Sequence, residues 1–302
     1  MWEHRGRYYI HYDGSGAEGW LACLATSPDL VTWTPRGRVL QLGRKGSRDS
    51  GSASYATTYF DGRTWHGFYV GTPNVSPAPD LIPLPPYLTM KATGASPIGP
   101  WKKDYATIPF SPTPGTYYSC TASPGQVIKQ GKDYLMFFSP SAEFPPSDYT
   151  KPHKLLLRTL GIARTRNLNG AWKPDPQPIL PLEEQIENST LYFEEANQTW
   201  FLFTNHVGVE KGKPEYTDAV WVYWSKDLNT WDPANKAVVL DSKNCRWTPH
   251  IIGLPSVLKA AKRLAVFYDG HPARRFPPGP KSHMDRDIGV AWLDLPLRPP
   301  VT

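Results

Sequence analysis

The sequence predicts an all-β fold made of repeated antiparallel units. Three observations predict it: a strand-like aromatic segment recurs five times, turn-forming residues are abundant, and no segment sustains a helical hydrophobic period. The 302 residues include 33 Pro and 24 Gly, which favour tight connections, and 12 Trp and 16 Tyr, which favour strands. A chain of this length fits one large all-β domain.

The aromatic segment sets the length of the repeat. Its copies are residues 7–12, 64–69, 133–138, 199–204 and 263–268, which begin 57 to 69 residues apart. A shorter strand-like segment precedes it in four units, at residues 53–60, 125–129, 190–193 and 255–259. Strand-rich units of this period are typical of the blades of a β-propeller.

A second motif leads into the last strand of each unit. Residues 27–33 and 225–231 share the pattern Ser-x-Asp-Leu-x-Thr-Trp, and looser copies end at Trp101 and Trp172. Each copy follows a short apolar strand, at residues 21–25, 88–92, 160–163 and 220–224. Each unit therefore reads as four antiparallel strands. Together the five units predict a single five-bladed β-propeller domain over residues 1–302.

The two ends of the chain depart from this repeat. Only six residues precede the first aromatic segment, and we expect them to be too few for an inner strand plus a turn. The first blade is therefore predicted to lack its innermost strand, and the chain is interpreted as N-terminally incomplete. The alternative is a ring that closes unconventionally. The fifth unit ends with its third strand, at residues 287–293.

Three proline-rich segments follow aromatic strands, at residues 72–86, 139–152 and 271–282. Because they occupy equivalent places in the repeat, we expect them to lie on one face of the propeller. Loops of this length inside a domain are usually functional.

Composition excludes several classes of function. The three cysteines, Cys23, Cys120 and Cys245, give neither a disulfide framework nor a metal-ligand spacing. The net charge of +6 comes from scattered residues, so no nucleic-acid partner is expected. The sequence contains no run of 18 apolar residues, so no membrane-spanning segment is expected. A secreted or periplasmic location is expected if an N-terminal segment is missing, and a cytoplasmic one otherwise; the oligomeric state stays open.

Through its blade repeat, nearly the whole chain resembles the five-bladed propeller glycoside hydrolases, the group that contains families 32, 43, 62, 117 and 130. Family 43 is the most similar. The resemblance implies that catalytic carboxylates lie at the starts of the innermost strands, around a central funnel. Hydrolysis of a glycosidic bond needs two such carboxyl groups.

Two short motifs carry the expected carboxylates. The sequence Glu187-Asn188-Ser189 resembles the Glu-Gly-Pro motif of family 43, which implies that Glu187 is the general acid and that Asn188 lies beside the substrate. The sequence Arg48-Asp49-Ser50 resembles the Arg-Asp-Pro motif of family 32, which implies that Asp49 holds sugar hydroxyls and stabilises the transition state.

Structural roles are the alternative for both carboxylates. Asp49 would then be a turn residue paired with a surface arginine, and Glu187 would pair with Arg48 or Arg286. The segment 119–123, which precedes the third unit, holds no carboxylate and so departs from the pattern of family 43.

Further residues are expected to contact the sugar. Arg48, Trp247 and His250 are predicted to line the funnel, and Arg286 belongs to a dense polar segment that enters the last strand. His283, in the same segment, is a rival to Glu187 as the acid, because some family 117 enzymes are thought to use a late histidine. Glu183 and Glu184 are expected to be solvated.

These observations predict a glycoside hydrolase that cleaves an oligo- or polysaccharide, by inversion as in family 43. No base is identifiable, because the strand expected to carry it is the one that is missing. The alternatives are a carbohydrate-binding propeller without turnover and a glycoside phosphorylase. No cofactor is expected, although the resemblance leaves room for a structural calcium ion in the central funnel.

Overall fold

A computed structural model describes residues 1–143, 156–208, 216–249, 251–272 and 286–300. The prediction of an all-β fold is confirmed, since the only helical segment in these ranges is the 3-10 turn Leu182–Glu184. Within the same ranges, no helix is long and apolar enough to cross a lipid bilayer. The chain divides into two compact units, residues 1–142 with 161–176 and residues 143–160 with 177–302.

The first unit contains three groups of antiparallel strands: β1–β4, β5–β8, and β9, β10, β12 and β13. The third strand of the first group also touches the inner strand of the second group in parallel, where Leu21 lies opposite Ala53. The strands are β1 (Trp2–His4), β2 (Arg7–Gly16), β3 (Gly19–Ser27), β4 (Thr34–Arg38), β5 (Ser52–Phe60), β6 (Trp65–Thr72), β7 (Leu88–Gly94), β8 (Lys102–Asp104), β9 (Thr121–Gln130), β10 (Asp133–Glu143), β12 (Gly161–Thr165) and β13 (Lys173–Pro174).

The second unit contains two further groups, β14–β17 and β18–β20. Asp218 and Ile252 form the parallel contact between them, in the same manner as in the first unit. The strands are β11 (Leu156–Arg158), β14 (Ile186–Glu194), β15 (Thr199–Gly208), β16 (Tyr216–Ser225), β17 (Lys236–Leu240), β18 (Ile252–Ala260), β19 (Arg263–Gly270) and β20 (Asp287–Asp294).

The five aromatic segments form strands β2, β6, β10, β15 and β19, and each has a partner on both sides. Strand β6 is buried along its whole length, and β15 and β19 are buried along most of theirs. Phe68, Phe137 and Phe203 are fully buried in three of the five strands. The aromatic repeat is therefore the core of each strand group.

The first strand group corrects one prediction. Residues Trp2–His4 form strand β1, which pairs with β2 in antiparallel register, so the inner strand is not absent. Arg5 and Gly6 both have positive φ, of 52° and 74°, and close a two-residue hairpin. The prediction was wrong because it assumed that the turn before β2 needs more than two residues. The strand is short, however, and pairs only with the Arg7–Tyr9 part of β2.

The Ser-x-Asp-Leu-x-Thr-Trp motif forms a turn closed by its own side chains. Asp29 Oδ1 accepts a hydrogen bond from the Thr32 N–H at 2.7 Å, and Trp33 Nε1 donates to the Leu30 carbonyl at 3.2 Å. In the second copy, Trp231 Nε1 makes the equivalent bond at 2.9 Å to the leucine three residues before it. The motif therefore fixes the connection between the third and fourth strands of its group.

Candidate active site

Glu187 lies at the start of the inner strand β14, within a β-bulge that separates it from Thr190 in the register. The next residue, Asn188, has φ 55°, a left-handed conformation that asparagine tolerates better than most residues. The hydroxyl of Thr204 donates to the Glu187 carbonyl at 2.6 Å and fixes the backbone there. Bulges often re-aim a side chain beside an active site.

The carboxyl group of Glu187 faces Arg158, whose Nε lies 3.3 Å from Oε2. The Glu187 side chain is 28% exposed and the Arg158 side chain 16%, so the carboxyl is held but remains open to a ligand. The ion pair is therefore not one of the two proposed from the sequence, with Arg48 or Arg286. Arg158 was missed, although an arginine ending the apolar run Leu155-Leu156-Leu157 is an unusual residue and could have been noticed.

A histidine and an aspartate form a second pair on the neighbouring strands. His206 Nδ1 lies 2.7 Å from Asp218 Oδ1, and both side chains are partly exposed. The imidazole stacks on Trp221 with ring centroids 4.2 Å apart and planes 10° apart. Asp218 therefore engages the Nδ1 side of the imidazole.

Arg286 is engaged in a third polar cluster. Its Nη1 donates to Asp269 Oδ1 and to Thr217 Oγ1, both at 3.0 Å. The side chains of Arg286 and Asp269 are each 15% exposed. Arg286, predicted as a sugar ligand, therefore lies in an ion pair with Asp269 immediately before β20.

Asp49 does not lie in the position that its predicted role requires. Its side chain is fully buried, and Lys103 Nζ contacts Oδ2 at 2.5 Å. Tyr69 also donates to Oδ2, at 3.0 Å, and Ser47 donates to Oδ1 at 2.9 Å. Burial, and next the Asp49 carboxylate, raise the pKa of Tyr69 far above its ordinary value, so the phenol remains a donor. The Asp49 carboxylate is therefore closed to solvent, whereas Arg48 beside it is exposed.

Trp247 packs as a structural residue. Its Nε1 donates to the Tyr268 hydroxyl at 2.7 Å, and its ring lies so close to Gly289 that a Cβ there would come within 2.6 Å of it. The indole therefore packs, partly buried, against the core of the last strand group. His250 and His283, the other predicted ligands, lie outside the described residues.

Glu183 and Glu184, which precede Glu187, differ in their exposure to solvent. Glu183 is exposed, as predicted. The prediction that Glu184 is solvated is wrong: its Oε2 lies 2.6 Å from Lys236 Nζ and accepts a hydrogen bond from the Tyr223 hydroxyl. The Lys236 ammonium also lies 4.8 Å from the centroid of Trp221, the ring on which His206 stacks, so Glu184 is linked to the His206–Asp218 pair.

No group of three or more His, Cys, Asp or Glu side chains that could hold a metal ion occurs in the described part of the chain. A calcium ion can also use carbonyl oxygens and water as ligands. The structural calcium ion therefore stays a prediction. The three cysteines are buried free thiols.

Solved structures share this fold at low sequence identity. One of them, BT0996 in a complex with RGII, aligns with 99% of this chain and 87% of its own length, with a TM-score of 0.72 and 15% identity. An exo-1,5-α-L-arabinanase from a bovine ruminal metagenomic library aligns over 96% and 90%, with a TM-score of 0.64 and 15% identity.

An α-L-arabinanase of Cellvibrio cellulosa, complexed with arabinohexaose, aligns over 96% of this chain and 89% of its own, with a TM-score of 0.65 and 12% identity. The chain has the fold of the β-propeller glycoside hydrolases. The predicted resemblance is thereby confirmed at the level of the fold. No family model matches the sequence, and no curated protein does.

Proposed function

We propose that this protein is a glycoside hydrolase and that Glu187 is its general acid. The observation that carries the proposal is the placement of Glu187: a partly exposed carboxyl group on a bulge of an inner strand, held by Arg158. In a propeller hydrolase the start of an inner strand is where the resemblance places the acid. The shared fold supports the reaction class.

We also propose five blades. Three antiparallel strand groups in the first unit and two in the second support this count. Each group is built around one copy of the aromatic repeat. An experimental structure would test the count directly, and a ring of any other number of blades would contradict it.

The proposed substrate is a glycan that contains arabinofuranose. The support is the set of substrates named for the neighbouring folds, which include 1,5-linked arabinan and a ligand called RGII. A panel of arabino-oligosaccharides, rhamnogalacturonan fragments and galactans, analysed for released sugar, would identify the glycan that is cut. The anomeric form of the first product, followed by NMR, would test the proposed inversion.

The role of Glu187 is tested by Glu187→Gln, which keeps the shape of the side chain and removes its proton. Loss of general acid catalysis typically lowers turnover by about 10²–10⁴-fold. The loss should be large for a glycan and small for an aryl glycoside, because a good leaving group needs little protonation. Glu183→Gln is the matched control, since Glu183 is exposed four residues away, and it should retain wild-type activity. Full activity of Glu187→Gln on the glycan would refute the assignment.

The same experiment separates the two alternatives. A phosphorylase would require inorganic phosphate for turnover, whereas a hydrolase would not. A binding protein would bind an oligosaccharide in calorimetry without any product on the full panel. Either result would replace the proposed reaction.

A further inference from the structure

The seventh position of the aromatic repeat has a shared structural role in the two units. The residues at this position are Asp13, Val70, Ser139, Asn205 and Asp269. Asp13 Oδ1 accepts the backbone N–H of Tyr55 at 2.8 Å, and Asn205 Oδ1 accepts that of Leu254 at 3.2 Å. Tyr55 and Leu254 are both left-handed bulge residues of the next inner strand, with φ 48° and 45°. An oxygen at the seventh position therefore clamps the neighbouring bulge.

Asn205 also clamps the bulge of its own strand group. The amide nitrogen of Asn188 donates to Asn205 Oδ1 at 3.1 Å. Asn188 follows Glu187 directly, and Glu187 lies opposite Asn205 in the ladder between β14 and β15. One oxygen atom thus accepts hydrogen bonds from two left-handed residues, one of which directly follows Glu187.

The side chain of Asn205 carries a buried donor that an aspartate would not have. Asn205 is fully buried, and among the residues that the structure describes its Nδ2 has no hydrogen-bond acceptor. An unsatisfied buried donor is destabilising. An aspartate would supply the same oxygen without the orphan donor, and the repeat uses aspartate at Asp13 and Asp269.

The charge of the neighbouring Glu187 explains why position 205 has an amide instead of a carboxylate. Side chains directly opposite in an antiparallel ladder have Cβ atoms about 4.5–5.5 Å apart. A carboxylate at position 205 would therefore face the carboxyl of Glu187, and like charges at this distance disturb each other's titration. Arg158, whose Nε lies 3.3 Å from Glu187 Oε2, is a cation in contact with this carboxyl from another segment. The amide of Asn205 keeps the clamp and leaves this ion pair without a competing charge.

We propose that Asn205 is a positioning residue for Glu187, which clamps both bulges and leaves Glu187 without a second carboxyl group opposite it. The inference rests on the proposed role of Glu187. It adds a prediction that the role alone does not make: the charge at position 205 controls the pH range over which the enzyme works.

The test is the pH profile of kcat/KM for Asn205→Asp. Because the variant keeps both accepted hydrogen bonds, it should fold, and its basic limb should move to higher pH by about 1 pH unit or more. Asp13→Asn is the matched control, since it makes the reverse exchange at the equivalent position of the first unit, and it should keep the wild-type profile. An unchanged basic limb in Asn205→Asp overturns the proposal.

A second variant at the same position keeps the proposal testable if Asn205→Asp does not fold. Asn205→Ser keeps a neutral side chain, as at Ser139, but is too short to hold both bulges. Its kcat should fall by at least about 10-fold at a nearly unchanged KM and with the wild-type pH profile. An unchanged kcat overturns the proposal. If Glu187→Gln is inactive while the position 205 variants behave as wild type, only the role of Asn205 fails; if Glu187→Gln is fully active, the proposed function fails.

Discussion

Lys91 is a buried cation whose charge should make the stability of this protein depend on pH. It lies on β7 with 1% of its surface exposed, and its ammonium donates to the Asn169 side-chain oxygen. Burial lowers the pKa of Lys91 from 10.5 to about 8, against the opposing effect of Asp104, the residue opposite it in the ladder. The folded protein therefore releases this proton more easily than the unfolded chain does.

The sign of the effect follows from proton binding. Between pH 8 and pH 10.5 the unfolded chain binds more protons at Lys91 than the folded protein, so stability rises with pH in this window. The gap of about 2.5 pH units corresponds to about 3 kcal/mol. This is the free energy of unfolding that is lost at pH 7 and recovered above pH 10.5.

Lys91→Met removes the charge and keeps the stem of the side chain. At pH 7 it should stabilise the protein by about 2 kcal/mol, which is the relieved burial of charge less about 1 kcal/mol for the lost hydrogen bond. Asn169 is exposed and can bond to water instead. The measurement is urea unfolding of both proteins from pH 7 to pH 10.5.

The difference between the two proteins is the quantity to follow, since tyrosines that titrate in both cancel in it. This difference should shrink steadily and reverse near the top of the range. Lys102→Met is the control, because Lys102 is exposed in the adjacent strand, and its difference from wild type should be flat. A pH-independent difference for Lys91→Met would show that the charge of Lys91 is not buried.

Two further substitutions test the structure of the first unit. Asp49→Asn should lower the free energy of unfolding by about 3–5 kcal/mol, because it leaves the Lys103 ammonium without its anion. The substitution should not change KM. A raised KM in a protein of wild-type stability would restore the sugar-binding role of Asp49. Gly125→Ala should lower the free energy of unfolding in urea by about 3 kcal/mol or more, because its Cβ would lie 1.6 Å from the Phe137 carbonyl oxygen. Gly16→Ala is the control: Gly16 has open space around it, so the free energy of unfolding should stay within about 0.5 kcal/mol of wild type.

The fold was predictable because its signal is local and repeated. Each aromatic strand carries its own apolar run, and each Ser-x-Asp-Leu-x-Thr-Trp turn closes on itself, as Asp29 and Trp33 do. The first hairpin was mispredicted for the opposite reason. A strand of three residues, Trp2–His4, has almost no local pattern, and the turn at Arg5 depends on a left-handed residue for which arginine gives no signal.

The candidate site was predictable only where a motif lies on one segment. Glu187 was proposed from its own neighbours in sequence, but Arg158 precedes it by 29 positions, and no sequence pattern indicates that the two side chains meet. For Asp49 the motif was recognised but the burial of the side chain was not, since a motif gives the residue type and not its exposure. Whether a carboxylate faces solvent or a buried lysine depends on the register of two other segments, which carry Tyr69 and Lys103.

The seventh position of the aromatic repeat shows which signal could have been used. Across the five copies the residue at this position is polar in four, so the comparison of repeats singles out Asp13, Ser139, Asn205 and Asp269 without any structure. Burial of a polar side chain is unfavourable unless hydrogen bonds compensate it, so a recurring polar residue in a buried strand predicts a bond that the repeat requires. The one copy with an amide in place of a carboxylate, Asn205, is also the copy opposite Glu187. In this chain the departure from the repeat's pattern therefore coincides with the position opposite the proposed general acid.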